Sequence, residues 1–159
     1  MAKNKKDRSG KKYVPKGRDH LKVKFEPWRA KLVFDPLESI LDELEQQGTL
    51  TTSAEGQVMF KDVTTGEWHD TIAALLGVID TFEILERRYG VDAQLDPLRA
   101  FADKIEKGSE IDNRDTAAVR ASMKTMRNLV LDMTIGEVRQ LVRDFQTKDE
   151  LEKLLPVAA

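Results

Sequence analysis

The stretch Asp70–Gly90 reads DTIAALLGVIDTFEILERRYG. Ile72, Leu75, Leu76, Ile79, Phe82 and Leu85 recur at steps of three and four, the spacing that brings side chains onto one face of an α-helix. Gly90 follows, the residue that most readily takes the left-handed backbone of a helix end. The spacing predicts a helix from about Asp70 to Tyr89. Its apolar face runs for over three turns, which makes it the central helix of the fold.

Working outward, the same period recurs on both sides. Upstream, Leu37, Ile40, Leu41 and Leu44 form an apolar face between Asp35-Pro36 and Gly48. Asp35 is placed to cap, Pro36 suits the first helical position, and Glu38 sits where a capping box has its acid. Between these two helices, Thr49–Ser53 and Gln57–Asp62 flank Ala54-Glu55-Gly56, a pattern that predicts a short β-hairpin. Downstream, a third helix starts near Asp96-Pro97, carries Leu98, Phe101, Ala102 and Ile105, and ends at Gly108. A fourth spans Asn113–Asp132 with Val119, Met123, Met126, Val130 and Met133 turned inward. A fifth opens on Thr134 and Glu137 in capping-box spacing and uses Ile135, Val138, Leu141, Val142 and Phe145. Thr147 and Glu150 repeat that spacing before Leu151, Leu154 and Leu155, so a separate short helix is expected there, ended by Pro156. The fold class is mainly α: a small irregular helical bundle with a short β-hairpin. Leu41, Leu75, Leu76, Ile79, Phe82, Phe101, Val130, Leu141 and Phe145 are its expected core.

Composition agrees with that reading. Of 159 residues, 40% are hydrophobic and 34% charged, which suits helices with one buried face and a charged outer one. The length fits one domain, and no repeat of fixed period occurs. There is no cysteine, which excludes disulfides, thiolate metal sites and cysteine nucleophiles and fits a reducing compartment. The longest apolar runs, such as Ile72–Leu76, fall far short of the ~20 residues of a membrane span. No apolar stretch follows the lysine-rich start, so a secretory signal is not expected and the chain reads as cytoplasmic.

The charge is divided. Residues 1–31 hold twelve Lys and Arg against Asp7, Asp19 and Glu26, a net of +9; the remainder holds 14 basic and 25 acidic residues, a net of −11. Residues 1–20, MAKNKKDRSGKKYVPKGRDH, contain too little apolar surface to offset chain entropy and are expected to be a disordered basic arm. Residues 21–159 are then a single acidic helical domain. Leu21, Val23 and Phe25 alternate with Lys22 and Lys24, which predicts a short strand or an extended segment lying on the body, anchored through Phe25 and Trp28.

Signatures of catalysis are missing. His20 and His69 are the only histidines, with no H-x-x-x-H or H-E-x-x-H spacing and no glutamate three residues before either, so no metal site is expected. No G-x-G-x-x-G, no G-x-x-x-x-G-K-[ST] and no G-x-S-x-G occurs, so neither a cofactor nor a nucleophile elbow is expected. Carboxylate pairs such as Asp80 and Glu83, or Asp42 and Glu45, read as solvated helix faces. The expectation is a protein that is not an enzyme.

The binding signal lies in the arm. Lys3, Lys5, Lys6, Arg8, Lys11, Lys12, Lys16, Arg18, Lys22 and Lys24 surround Tyr13, with Gly10, Pro15 and Gly17 holding the chain open. Such cations follow a phosphate backbone by counterion release, and an aromatic ring stacks on an unpaired base. Arg120, Lys124 and Arg127 share one face of the fourth helix and could continue the cationic track. The competing readings are a solubilising tail or an arm resting on the acidic body, and a fourth-helix stripe paired with acids of a neighbour. The expected partners are nucleic acid or another polyanion through the arm, and a protein or a second copy through the helical body. Without an apolar anchor, the arm is not expected to bind a membrane.

Lys11–Lys16, K-K-Y-V-P-K, ahead of a short acidic helical body, resembles the start of small uncharacterised proteins of tailed or filamentous phages and prophages. Ile79–Gly90, IDTFEILERRYG, is similar to their middle helix. The resemblance implies an accessory protein of a phage or mobile element: a regulator, a counter-defence factor or a minor virion component, placed in the host cytoplasm or the virion. That family has no agreed activity, so the resemblance assigns no site residue. The resulting expectation is a non-enzymatic binding protein whose arm contacts nucleic acid. The alternative is a purely protein-interaction or structural module without nucleic-acid binding.

Overall fold

The computed structural model describes residues 17–62 and 65–154, so the expected arm lies outside the described residues except for 17–20. Two short 3-10 turns, Arg18–His20 and Val23–Phe25, lead into α1 (Trp28–Gln47). Next come β1 (Thr51–Thr52), β2 (Val58–Lys61) and β3 (Trp68–Asp70), then α2 (Thr71–Tyr89), α3 (Asp96–Glu106), α4 (Asn113–Asp132) and α5 (Ile135–Leu154). The fold is mainly helical, with a small antiparallel sheet ordered β1-β2-β3.

α2 is the hub. It packs against α1, α3 and α5 and against both β2 and β3. Asp70 caps it, accepting from the Ala73 amide at 3.0 Å, and Gly90 closes it at φ 64°. Its buried residues Leu75, Ile79, Phe82 and Leu85 meet Phe34, Leu37, Ile40 and Leu41 of α1, Leu98, Phe101 and Ile105 of α3, and Met123, Met126 and Val130 of α4 in one cluster. The rings of Phe34 and Phe82 lie 5.9 Å apart. Phe60 of β2 is buried, which fixes the sheet over α1 and α2.

The expected hairpin is present, with Thr51 opposite Met59 and Thr52 opposite Val58. Gly56 takes φ 85° in the turn, a conformation that favours glycine. A third strand joins it. Trp68, His69 and Asp70 pair with Lys61, Phe60 and Met59 before Asp70 turns into the cap of α2, so the helix start expected near Asp70 holds and the strand before it is the addition.

The first helix starts earlier than Asp35-Pro36 predicts. α1 begins at Trp28, and Pro36 lies inside it. Proline leaves the carbonyl four residues back without its helical donor. The apolar period of Ala30, Phe34, Leu37, Leu41 and Leu44, all buried, nonetheless carries the helix through. Thr147 does not open a new helix either. Its hydroxyl donates to the Arg143 carbonyl at 3.0 Å within a continuous α5. Of the expected core, Leu76 is exposed and Phe145 only half-buried; the other seven residues are buried.

Candidate functional site

The segment 17–31 is held by backbone, not by its aromatic rings. The Val23 amide donates to the Met133 carbonyl, and the Ile135 amide donates to the Leu21 carbonyl, each at 2.8 Å. Val23 is the buried anchor at 1% exposure. Asp19 sits so close to Gly136 that a Cβ there would lie 3.1 Å from its carbonyl oxygen, and Arg139 donates to its carboxylate at 2.6 Å.

Phe25 and Trp28, expected to anchor this segment, point outward instead, 68% and 53% exposed. Each ring carries a cation: the Lys24 ammonium lies 5.4 Å from the Phe25 centroid, and the Arg29 guanidinium 4.5 Å from that of Trp28. Between them Glu26 is buried and ion-paired with both Arg18 and Arg29, the latter at 2.6 Å. The hydrogen bond from Arg29, reinforced by the charges of Arg18 and Arg29, outweighs burial and holds the Glu26 carboxyl below its ordinary value. Lys22, Lys24 and Lys31 are exposed and have no ion-pair partner among the described residues. The result is two exposed aromatic rings among cations, with the Glu26 carboxylate between them in sequence already ion-paired.

The remaining expected site residues separate into three groups. Lys3, Lys5, Lys6, Arg8, Lys11, Lys12, Tyr13 and Lys16 lie outside the described residues. Arg18, Lys22 and Lys24 surround the aromatic pair. Arg120 of α4 is held by three carboxylates of α1: Glu38 at 2.8 Å, Asp42 at 3.2 Å and Glu45 at 3.0 Å. The bond to Glu45 is the largest cause raising the Arg120 pKa, and the same bond lowers that of Glu45. Arg127 donates to Glu38 at 3.2 Å and lies 5.3 Å from the Phe34 ring centroid. Lys124 is exposed and without an ion pair among the described residues. Only Arg127 approaches the root of the basic segment, sharing a cavity with Pro27, Ala30 and Lys31.

Phe25 and Trp28 are absent from the sequence-derived candidates. Each ring stands next to a cation in the sequence, Lys24-Phe25 and Trp28-Arg29, and that adjacency is the signal that marks them. Among the described residues, no group of three or more His, Asp or Glu could hold a metal ion. No helix among them is long and apolar enough to cross a membrane. Comparison with protein-family models, curated proteins and solved structures finds no match to this chain.

Proposed function

We propose that this chain is a non-enzymatic binding protein that contacts single-stranded nucleic acid through its basic N-terminal segment and the aromatic pair at its root. The observation that carries the reading is the exposure of Phe25 and Trp28 under Lys24 and Arg29, at the point where the lysine-rich sequence joins the helices. Burial of these two rings would have contributed roughly 1.5–3 kcal/mol each to the fold. Exposed, they offer π-faces on which unpaired bases stack, while the surrounding cations follow the phosphates. The helical body then serves protein contacts. An accessory role in a phage or mobile element is the biological setting proposed, on the likeness of Lys11–Lys16 and Ile79–Gly90 alone.

Binding of labelled oligo-dT and of a duplex to the full chain tests this. Phe25→Ala and Trp28→Ala should each weaken single-strand binding by about 1–3 kcal/mol and leave duplex binding nearly unchanged. With about five phosphates engaged, the log–log salt dependence on the single strand should have a slope near −3.5, at ~0.7 per contact. Absence of binding at low salt, or equal single-strand affinity in both variants and the parent, refutes the reading.

A further inference from the structure

A groove runs over the hairpin side of α2 and α3. Its main cavity, about 700 Å³, lies between the hairpin and these two helices. It shares Val58 and Ile105 with a cavity beside the end of α1, and Ile72 and Leu76 with another that continues toward Glu83. The floor is apolar, formed by Leu50, Val58, Ile72, Leu76 and Ile105. Leu76 is 48% exposed although it shares the periodic face of α2, so this part of the face is uncovered among the described residues.

The walls are acidic. Six carboxylates line the three cavities against two cations, Arg99 and Lys107. Both cations are satisfied locally, Arg99 by Glu83 at 2.8 Å and Asp96 at 3.0 Å, Lys107 by Asp103 at 2.9 Å. Glu106 and Glu110 are exposed with no ion-pair or hydrogen-bond partner among the described residues. A short apolar floor between unneutralised carboxylates fits a peptide with a short apolar centre flanked by cations.

This chain contains such a peptide, Lys11-Lys12-Tyr13-Val14-Pro15-Lys16. We propose that the groove receives this segment from a second copy of the chain, with Tyr13-Val14-Pro15 over Leu76 and Ile105 and the flanking lysines on Glu106 and Glu110. The charge division supports the pairing, +9 in residues 1–31 against −11 in the rest. The second copy is favoured by where the segment leaves the fold. Gly17 adjoins the turn that packs on α5, whereas the groove is lined by the hairpin, α1, α2, α3 and the loops beside them, and by no residue of α5 or of 17–26. Reciprocal exchange between two copies closes with both segments and both grooves engaged.

Sedimentation velocity of the nuclease-treated full chain over a concentration series tests this. At low salt the mass should double as concentration rises, and the doubling should fade as salt screens the rim. Tyr13→Ala should weaken the association without touching the described core. Glu106→Lys/Glu110→Lys should abolish it while helical circular dichroism is retained, and excess synthetic peptide of residues 9–18 should dissociate the parent. A monomer at every concentration at low salt overturns the proposal, as does a dimer indifferent to both Tyr13→Ala and the peptide.

Discussion

Thr71 is fully buried in the first turn of α2, and its hydroxyl has no hydrogen-bond partner among the described residues. An unsatisfied buried hydroxyl carries a desolvation cost that an apolar group of similar shape avoids. Thr71→Val should therefore raise stability by about 1 kcal/mol, read as a higher urea midpoint at unchanged slope; a fall of the same size would mean that the hydroxyl is satisfied. Phe82 is the opposite case. It is buried against Phe34, and Phe82→Ala should cost about 3–5 kcal/mol in the same titration. Its burial was legible because its neighbours on the helix period are unambiguous. Phe25 and Trp28 face water rather than the core for a physical reason: an aromatic ring beside a helix start can equally take either place. Here the buried positions around the start of α1 are Val23, Ala30 and Phe34.

At the scale of elements, helix extents followed from caps and glycines wherever these stood alone. α3, α4 and the start of α5 lie where their punctuation predicts, the last through Thr134 and Glu137 exchanging hydrogen bonds at 3.1 and 3.3 Å. Pro36 carries the same signal but lies within a helix whose buried apolar row continues across it, and packing outweighs local preference; α5 runs through Thr147 although Leu151 and Leu154 beyond it are exposed. β3 was hidden because its three residues become a strand only by pairing with β2. The joint between α3 and α4 carries a pH dependence. The Lys104 ammonium meets both oxygens of Asp115, at 2.9 and 2.7 Å, and the Asp112 amide donates to the same carboxylate at 3.0 Å. The Lys104 bond first, then that amide, hold the Asp115 carboxyl below its ordinary value of 3.8. A depressed carboxyl stabilises the fold fully above the ordinary value and ceases to do so as pH falls through the lower folded one. Acid unfolding followed by circular dichroism should thus steepen below about pH 3.8, the ordinary value of Asp115. Asp115→Asn should lower stability at neutral pH and flatten that acid limb; a variant with the parent's acid limb would place the transition elsewhere.

For the whole molecule, the division of charge has a consequence that neither half shows alone. The basic segment proposed to bind nucleic acid is also the segment proposed to fill the groove of a second copy. Lys11, Lys12 and Lys16 cannot neutralise phosphates while they rest on Glu106 and Glu110, so the two modes compete for these three cations. A polyanion competes well, because each neutralised phosphate releases condensed counterions, whereas a groove with six carboxylates and two cations provides a weaker and more easily screened field. Adding oligo-dT to the self-associated chain at low salt should convert the dimer into monomers carrying DNA, seen in sedimentation as DNA absorbance moving with the monomer. Glu106→Lys/Glu110→Lys, by removing the competitor and two repelling charges, should bind the same oligonucleotide more tightly than the parent, with the largest difference at the lowest salt. Trp28→Ala should do the reverse, leaving self-association intact and weakening DNA binding, since its ring lies outside the groove. A complex containing two chains and DNA at saturating oligonucleotide would show that the basic segment is not shared, and competition between the two modes would then have to be given up.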